Sequence, residues 1–328
     1  MSSRRRILAI APALAVALLS RNRGARAQQG GFPNRSLTII NPYPPGGATD
    51  FGARLVAAGM EAQLGQSVVV DNRPGAGTAV ANAYVAGQQP DGYTLLMGTT
   101  SLAVVPHLQP GSQPRDPRSA FTPIGTATRS AFLLHVHPDL PARSVAELIA
   151  YAKANPGKLS WGSSGIGAIN HMTLELFRAR AGIDVEHVPY RGGAPALLDL
   201  QAGRIQAMFA ALQEAVGSVG AGRTRALGIS SATRSPAFPD VPPIADTLPG
   251  FETIFWQGLF GPAGLPEPVV ARLGTALRAA TTDETTRRRM AEQGVEAWTG
   301  DAALLAQTLA DDYGVWGKVI RDAGLRAE

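Results

Sequence analysis

Cysteine is absent from all 328 residues. That excludes disulfides, thiolate catalysis and sulfur-based zinc sites. A second long apolar run is absent too: past the N-terminal segment, none reaches the about 18 residues a membrane helix needs. A basic surplus is missing once the first 27 residues are set aside. They hold six of the 30 Lys and Arg and none of the 25 Asp and Glu, so the rest carries 24 basic and 25 acidic residues, a formal charge of −1. No footprint for nucleic acid or anionic lipid follows from that balance. Any anion selectivity must come from local dipoles and a few side chains.

What the first 27 residues do contain is the pattern of an export signal. Arg4, Arg5 and Arg6 form a basic start, Ile7 to Leu19 an apolar core, and Ala25-Arg26-Ala27 a small-x-small cleavage site. Ser3 to Leu8, with a basic stretch at Arg21, Arg23 and Arg26, is similar to a twin-arginine signal. The expectation is a periplasmic protein cleaved near Ala27. About 300 residues remain, enough for two domains with a sizeable core.

From residue 36 to about 230, short apolar runs alternate with helical patterns. Strands are expected at 37–41, 67–71, 94–98, 131–136, 158–161, 184–188, 205–209 and 225–230. Ser144 and Glu147 make a capping box for a helix that must stop before Pro156. Another helix follows Gly167, and a third starts near Ala194-Pro195 and ends at Gly203. The alternation predicts α/β with largely parallel sheets. Residues 235–268 read as a proline-rich connection, and only helices are expected after Pro268.

Two turns stand out. Leu37 to Ile40 is a strand, Pro44, Pro45, Gly46 and Gly47 break it, and a helix begins near Asp50. A helix start offers unpaired N–H groups and a partial positive charge, hence an anion site. No Lys ends this turn and no Walker pattern is present, so a small anion suits it better than a nucleoside triphosphate. The second turn, Gly162 to Gly167 with Ser163, Ser164 and Gly165, again leads from strand to helix. Two such starts facing across a crevice would clamp a ligand, each worth about 0.3–2 kcal/mol to an anion.

Catalytic signatures are weak. Ser164 has Gly162 before it but Ile166 where a nucleophile elbow needs its second glycine. Neither Gly165-Ile166-Gly167 nor Gly75-Ala76-Gly77 completes a dinucleotide fingerprint. His135 and His137 share a strand face without a third ligand at metal spacing, so no metal and no cofactor is expected. His171 either caps its loop or meets the ligand. Asp50, four residues before Arg54, braces the first turn while the backbone of Gly46 to Asp50, Thr49 included, meets the ligand. Arg191 either pairs with a ligand carboxylate or is solvated, and Tyr43 and Tyr190 would form walls with a polar tip.

In order along the chain, several segments resemble the extracytoplasmic solute-binding receptors of tripartite tricarboxylate transporters, the Bug family. They are Pro44 to Arg54, Leu64 to Gly77, Pro90 to Leu96, Gly162 to Gly167 with His171, His187 to Gly192, and Pro239 to Pro243. The resemblance implies a two-lobed Venus-flytrap fold, type II, with crossing hinge strands. It implies lobes of 31–130 plus 226–328, and of 131–225. It implies a monomer that catalyses nothing, takes no cofactor, does not bind nucleic acid, and captures a small carboxylate for a membrane permease. The turns matching 44–50 and 162–167 would hold the carboxylate, with Thr99 and Ser101 adding contacts. Ala168 stands where the family commonly has Ser, and Thr78 where Gly is common. Two rival readings remain: a carboxylate-sensing module for a signalling partner, and a hydrolase or isomerase on the same scaffold. The enzyme reading needs His171 or His187 against Ser163 or Ser164, with a carboxylate behind it.

Overall fold

Beginning at Leu37, the first strand is buried almost throughout, as an apolar run flanked by layers on both faces must be. The computed structural model describes residues 31–322 and 324–325, so the expected signal at 1–27 lies outside the described residues. β1 (Leu37–Asn41) is flanked in parallel by β2 (Val68–Asn72) and β3 (Thr94–Thr99). Between β1 and β2 runs α1 (Ala48–Leu64), closed by Gly65 in the left-handed region; α2 (Ala79–Ala86), α3 (Ser101–Leu108) and α4 (Pro117–Ala120) follow it in the chain.

The sixteen-residue β4 (Phe121–Val136) joins the two halves of the sheet. Its first part pairs antiparallel with β9 (Ile254–Pro262) and β10 (Glu296–Gly300), and β9 continues onto β3. Its last part, Phe132 to Val136, pairs antiparallel with β7 (Ala207–Ala211) and β8 (Arg225–Ile229). Beyond β7 lie β5 (Ser160–Ser163) and β6 (Glu186–Pro189), parallel to one another. The chain returns beside β4 at Ser230, which accepts from Phe132 N–H at 2.8 Å and donates to the Thr253 carbonyl at 2.6 Å. The fold is thus the expected two-lobed α/β arrangement with strands crossing between halves. The division expected at 225/226 falls inside β8.

Three expectations need correcting. The sheet is mixed rather than largely parallel, because β4 and β9 run against their neighbours. The proline-rich 235–268 stretch contains β9, whose residues after Ile254 are all buried; its prolines flank the strand instead of interrupting it. The tail contributes β10, paired with β4. Of the helices, α5 (Val145–Ala154) starts on Ser144 as expected. The Glu147 carboxylate, however, accepts from Arg143 N–H at 2.7 Å, one residue before the cap. α6 (Ile169–Ala181) and α7 (Gly193–Gln201) follow the predicted turns, and α8 (Leu212–Gly220) leaves β7 at once. Trp161 packs on Phe177 and Phe209, with ring centroids 5.6 and 5.4 Å apart, which fixes α6 against β5 and β7.

Candidate functional site

Gly46 lies at φ +83°, a left-handed conformation that costs glycine little and other residues more. It turns the chain so that α1 begins on Gly47, which has no side-chain cap of its own. Asp50 holds this turn from beneath. Its Oδ2 accepts from Gly46 N–H at 3.0 Å and Arg54 Nε at 2.8 Å; its Oδ1 accepts from Asn72 Nδ2 at 2.9 Å. Asn72 Nδ2 also donates to the Tyr43 carbonyl at 2.9 Å, tying the second strand's end to the turn. Burial works to raise the Asp50 pKa, but the bonds from Arg54, Gly46 and Asn72 outweigh it and hold it below the usual carboxylate range.

The second turn is held by side chains as well. The Asn170 amide donates to Ser164 Oγ at 3.0 Å and to the Phe209 carbonyl at 3.2 Å, and its oxygen accepts from Ser164 N–H. Ser163 is fully buried, accepts from Gly165 N–H at 3.1 Å and bonds His187 Nε2 at 2.7 Å. His171 Nδ1 accepts from Gly167 N–H at 3.3 Å, so this histidine caps its own loop. The two histidine rings stack at 4.1 Å. Desolvation pushes both down, His171 to about 3 and His187 to about 4, so both are neutral at pH 7.

One part of the enzyme condition is present; the other, a carboxylate joined to His187, is not seen among the described residues. A Ser–His contact exists, yet Glu175, the carboxylate of this cluster, pairs with Arg178 at 2.9 Å and lies 3.7 Å from His171, not behind His187. Ser163 has no exposed surface to meet a substrate. A histidine titrating near 4 is also a poor base at neutral pH.

The α1 start and the α6 turn open on a shared cavity of about 40 Å³. Gly47, Ala48 and Thr49 line it from α1; Ser164, Ala168, Ile169 and Asn170 from the α6 turn; Gly192, Gly193, Ala194 and Pro195 from the start of α7. Tyr43, Pro44, Pro45, Phe132, Phe255, Ala211 and Glu214 make the walls. None of the three helices has a cap from its own N-cap side chain. A cavity this size holds one or a few waters, since each needs about 10–15 Å³. A larger hollow of about 510 Å³ lies beside β4, and both of its arginines are engaged. Arg129 pairs with Glu296 at 2.8 Å and Arg234 donates to the Pro239 carbonyl at 2.9 Å.

Of the expected site residues, Tyr43, Pro45, Gly47, Thr49 and Ser164 line the cavity. Gly46 and Asp50 are bonded to each other below it. Ser101 and Thr99 stand behind Tyr43: Ser101 Oγ bonds the Tyr43 hydroxyl at 2.9 Å, and Thr99 Oγ1 accepts from Ser101 N–H at 3.3 Å. Burial pushes the Tyr43 phenol up to about 12. Ser163, Gly165, Gly167 and His171 shape the second turn from outside the lining. Tyr190 donates to Asp199 at 2.8 Å, and Arg191 is exposed; neither lines the cavity.

The sequence reading did not find Glu214, on the first turn of α8. Its Oε1 accepts from Ala48 N–H at 3.0 Å, across 166 positions of chain. Burial raises its pKa, against hydrogen bonds from the Ala48 and Ala211 amides. No local motif marks it. The glycine that makes room for it, Gly193, sits in a stretch legible as a strand end turning into a helix.

Comparison with known proteins bears on the family and the fold. A family model described as "Tripartite tricarboxylate transporter family receptor" matches residues 52–325. A UPF0065 protein from the tcbD-tcbE intergenic region of Pseudomonas sp. (strain P51) is 37% identical over 327 residues, covering 99% of this chain and 96% of the relative. The solved periplasmic binding protein BugD superposes with a TM-score of 0.86 at 31% identity, covering 90% of this chain and all of BugD. An R. palustris protein solved with adipate superposes at 0.87 with 35% identity, covering 90% of this chain and 99% of its own.

Proposed function

The chain belongs to the tripartite tricarboxylate transporter receptor family, and on that premise we propose that it is a periplasmic solute-binding receptor. It captures a small organic carboxylate between its lobes and delivers it to a membrane permease. The observation that carries this reading is the meeting of three helix starts, each without a cap from its own N-cap residue, on one cavity. Backbone amides and helix dipoles there favour negative charge without any cationic side chain.

The adipate of the R. palustris neighbour supports a carboxylate as ligand. Lobes of 31–130 with 226–328 and of 131–225, hinged on the strands near residues 130 and 230, would close on it. Closure needs contacts to both lobes, because a ligand shifts an equilibrium only by its differential affinity. The same contacts would serve a sensor, and no observation favours sensing over transport.

A thermal-shift screen of mono-, di- and tricarboxylates tests the reading. A ligand at a hundred times its dissociation constant adds about 2.7 kcal/mol of stability. At least one acid is expected to raise the melting temperature, and Gly47→Pro is expected to remove that rise. The proline deletes an amide and forces its ring against the left-handed Gly46. No response to any carboxylate at millimolar concentration refutes the receptor assignment; an unchanged response in Gly47→Pro refutes the site.

A further inference from the structure

We propose that Glu214 sets the ligand class of this cavity, selecting a small acid with one carboxylate and one cationic nitrogen over a dicarboxylate of matched length. The inference deepens the receptor reading and rests on it.

The α1 start already has a carboxyl group against it. Glu214 reaches it from α8, in the other half of the sheet, and accepts from Ala48 N–H at 3.0 Å. The contact is built into the surrounding backbone. A methyl group on Gly193 would lie 2.3 Å from one Glu214 carboxylate oxygen and 2.5 Å from the other. One on Gly47 would lie 3.4 Å from the nearer oxygen. Bare backbone at Gly193 is what admits the carboxylate, whereas a methyl on Gly47 would only touch it.

That carboxyl group has no positive partner. Among the described residues Glu214 forms no ion pair, and the groups bonded to it are the neutral amides of Ala48 and Ala211. A second carboxylate at the α1 start would compete for the Ala48 amide and face like charge in a partly desolvated space. The α6 start, Ala168 to Asn170, lines the same cavity with no carboxylate on it. A ligand acid therefore has its place on the α6 side, while an ammonium at its other end would meet Glu214 and supply the missing charge. A dicarboxylate would have to expel Glu214 or carry in a proton.

Calorimetric titration of the purified protein with matched pairs tests this. The pairs are succinate and 3-aminopropanoate, glutarate and 4-aminobutanoate, and adipate and 5-aminopentanoate. At neutral pH the wild type is expected to bind at least one amino acid about tenfold or more tighter than its diacid counterpart. Glu214→Gln keeps the shape and removes the charge; it is expected to weaken that amino acid by about tenfold and tighten the diacid. Should Glu214→Gln fold poorly, Gly193→Ala gives the same test, since its methyl drives the carboxylate out of its cradle. A diacid preference in the wild type, or a preference unchanged in a folded variant, overturns the role of Glu214 and leaves the receptor reading standing. Binding of neither class by any variant refutes both.

Discussion

Replacing Asp50 by Asn changes one oxygen into an NH2 group and almost nothing else. The two carboxylate oxygens both face donors: Gly46 N–H and Arg54 Nε on one side, Asn72 Nδ2 on the other, with Asn41 Nδ2 at 3.5 Å. Either orientation of the new amide sets a donor against a donor. Turning Asn72 over to accept would sacrifice its bond to the Tyr43 carbonyl and the 3.3 Å contact from Arg54 to its oxygen. Hydrogen bonds to a charged group contribute about 1.5–3 kcal/mol and neutral ones about 0.5–1.5. Arg54 is half exposed, so its ion pair with Asp50 adds little beyond the hydrogen bond. A loss of about 2–4 kcal/mol is expected, read as a lower urea midpoint at constant slope. The difference should also depend on pH. The folded pKa of Asp50 lies below the unfolded one, so its contribution is complete above the usual carboxylate range and fades as pH falls through the folded value. Wild type and variant should therefore converge in strong acid. A loss under about 0.5 kcal/mol at pH 7 would refute the bracing role.

Two further outcomes follow from buried groups. His171 and His187 titrate near 3 and 4 when folded and near 6.5 when unfolded. The unfolded chain thus takes up protons first, and stability should fall below about pH 6, by at most about 1.4 kcal/mol per pH unit for each histidine. Melting curves from pH 7 to 4 check this; a flat profile contradicts it. Thr78 sits at φ +104°, and its hydroxyl accepts from Asn82 at 3.0 Å. Thr78→Gly relieves the backbone whereas Thr78→Ala keeps the strain, so the glycine variant should be the more stable by about 1 kcal/mol. The reverse order, as helix propensity alone would give, would exclude strain as the reason.

Much of the site could be read from local chemistry. Pro44 to Asp50 and Gly162 to Gly167 announce turns through residue type alone, and Asp50 with Arg54 is a helical neighbour pair. What stayed hidden depends on partners far away in the chain. Local sequence leaves His171 two roles, and only the tertiary structure puts its Nδ1 against Gly167 N–H. Arg191 and Tyr190 flank the right loop, but the loop directs Tyr190 to Asp199 and leaves Arg191 exposed. β9 was masked by flanking prolines, since a strand's burial on both faces cannot be seen in its own composition.

By itself the sequence determined the class of fold, the two glycine-bearing helix starts and the absence of a catalytic motif, because each rests on residues within a few positions of one another. Tertiary structure alone decided that those starts share a cavity, that β4 carries the chain from one half of the sheet to the other, and that Glu214 lies against Ala48. Backbone propensity acts over one or two turns of chain. Which surfaces face each other across a cleft is fixed by how two half-sheets pack, and no short stretch of residues encodes that.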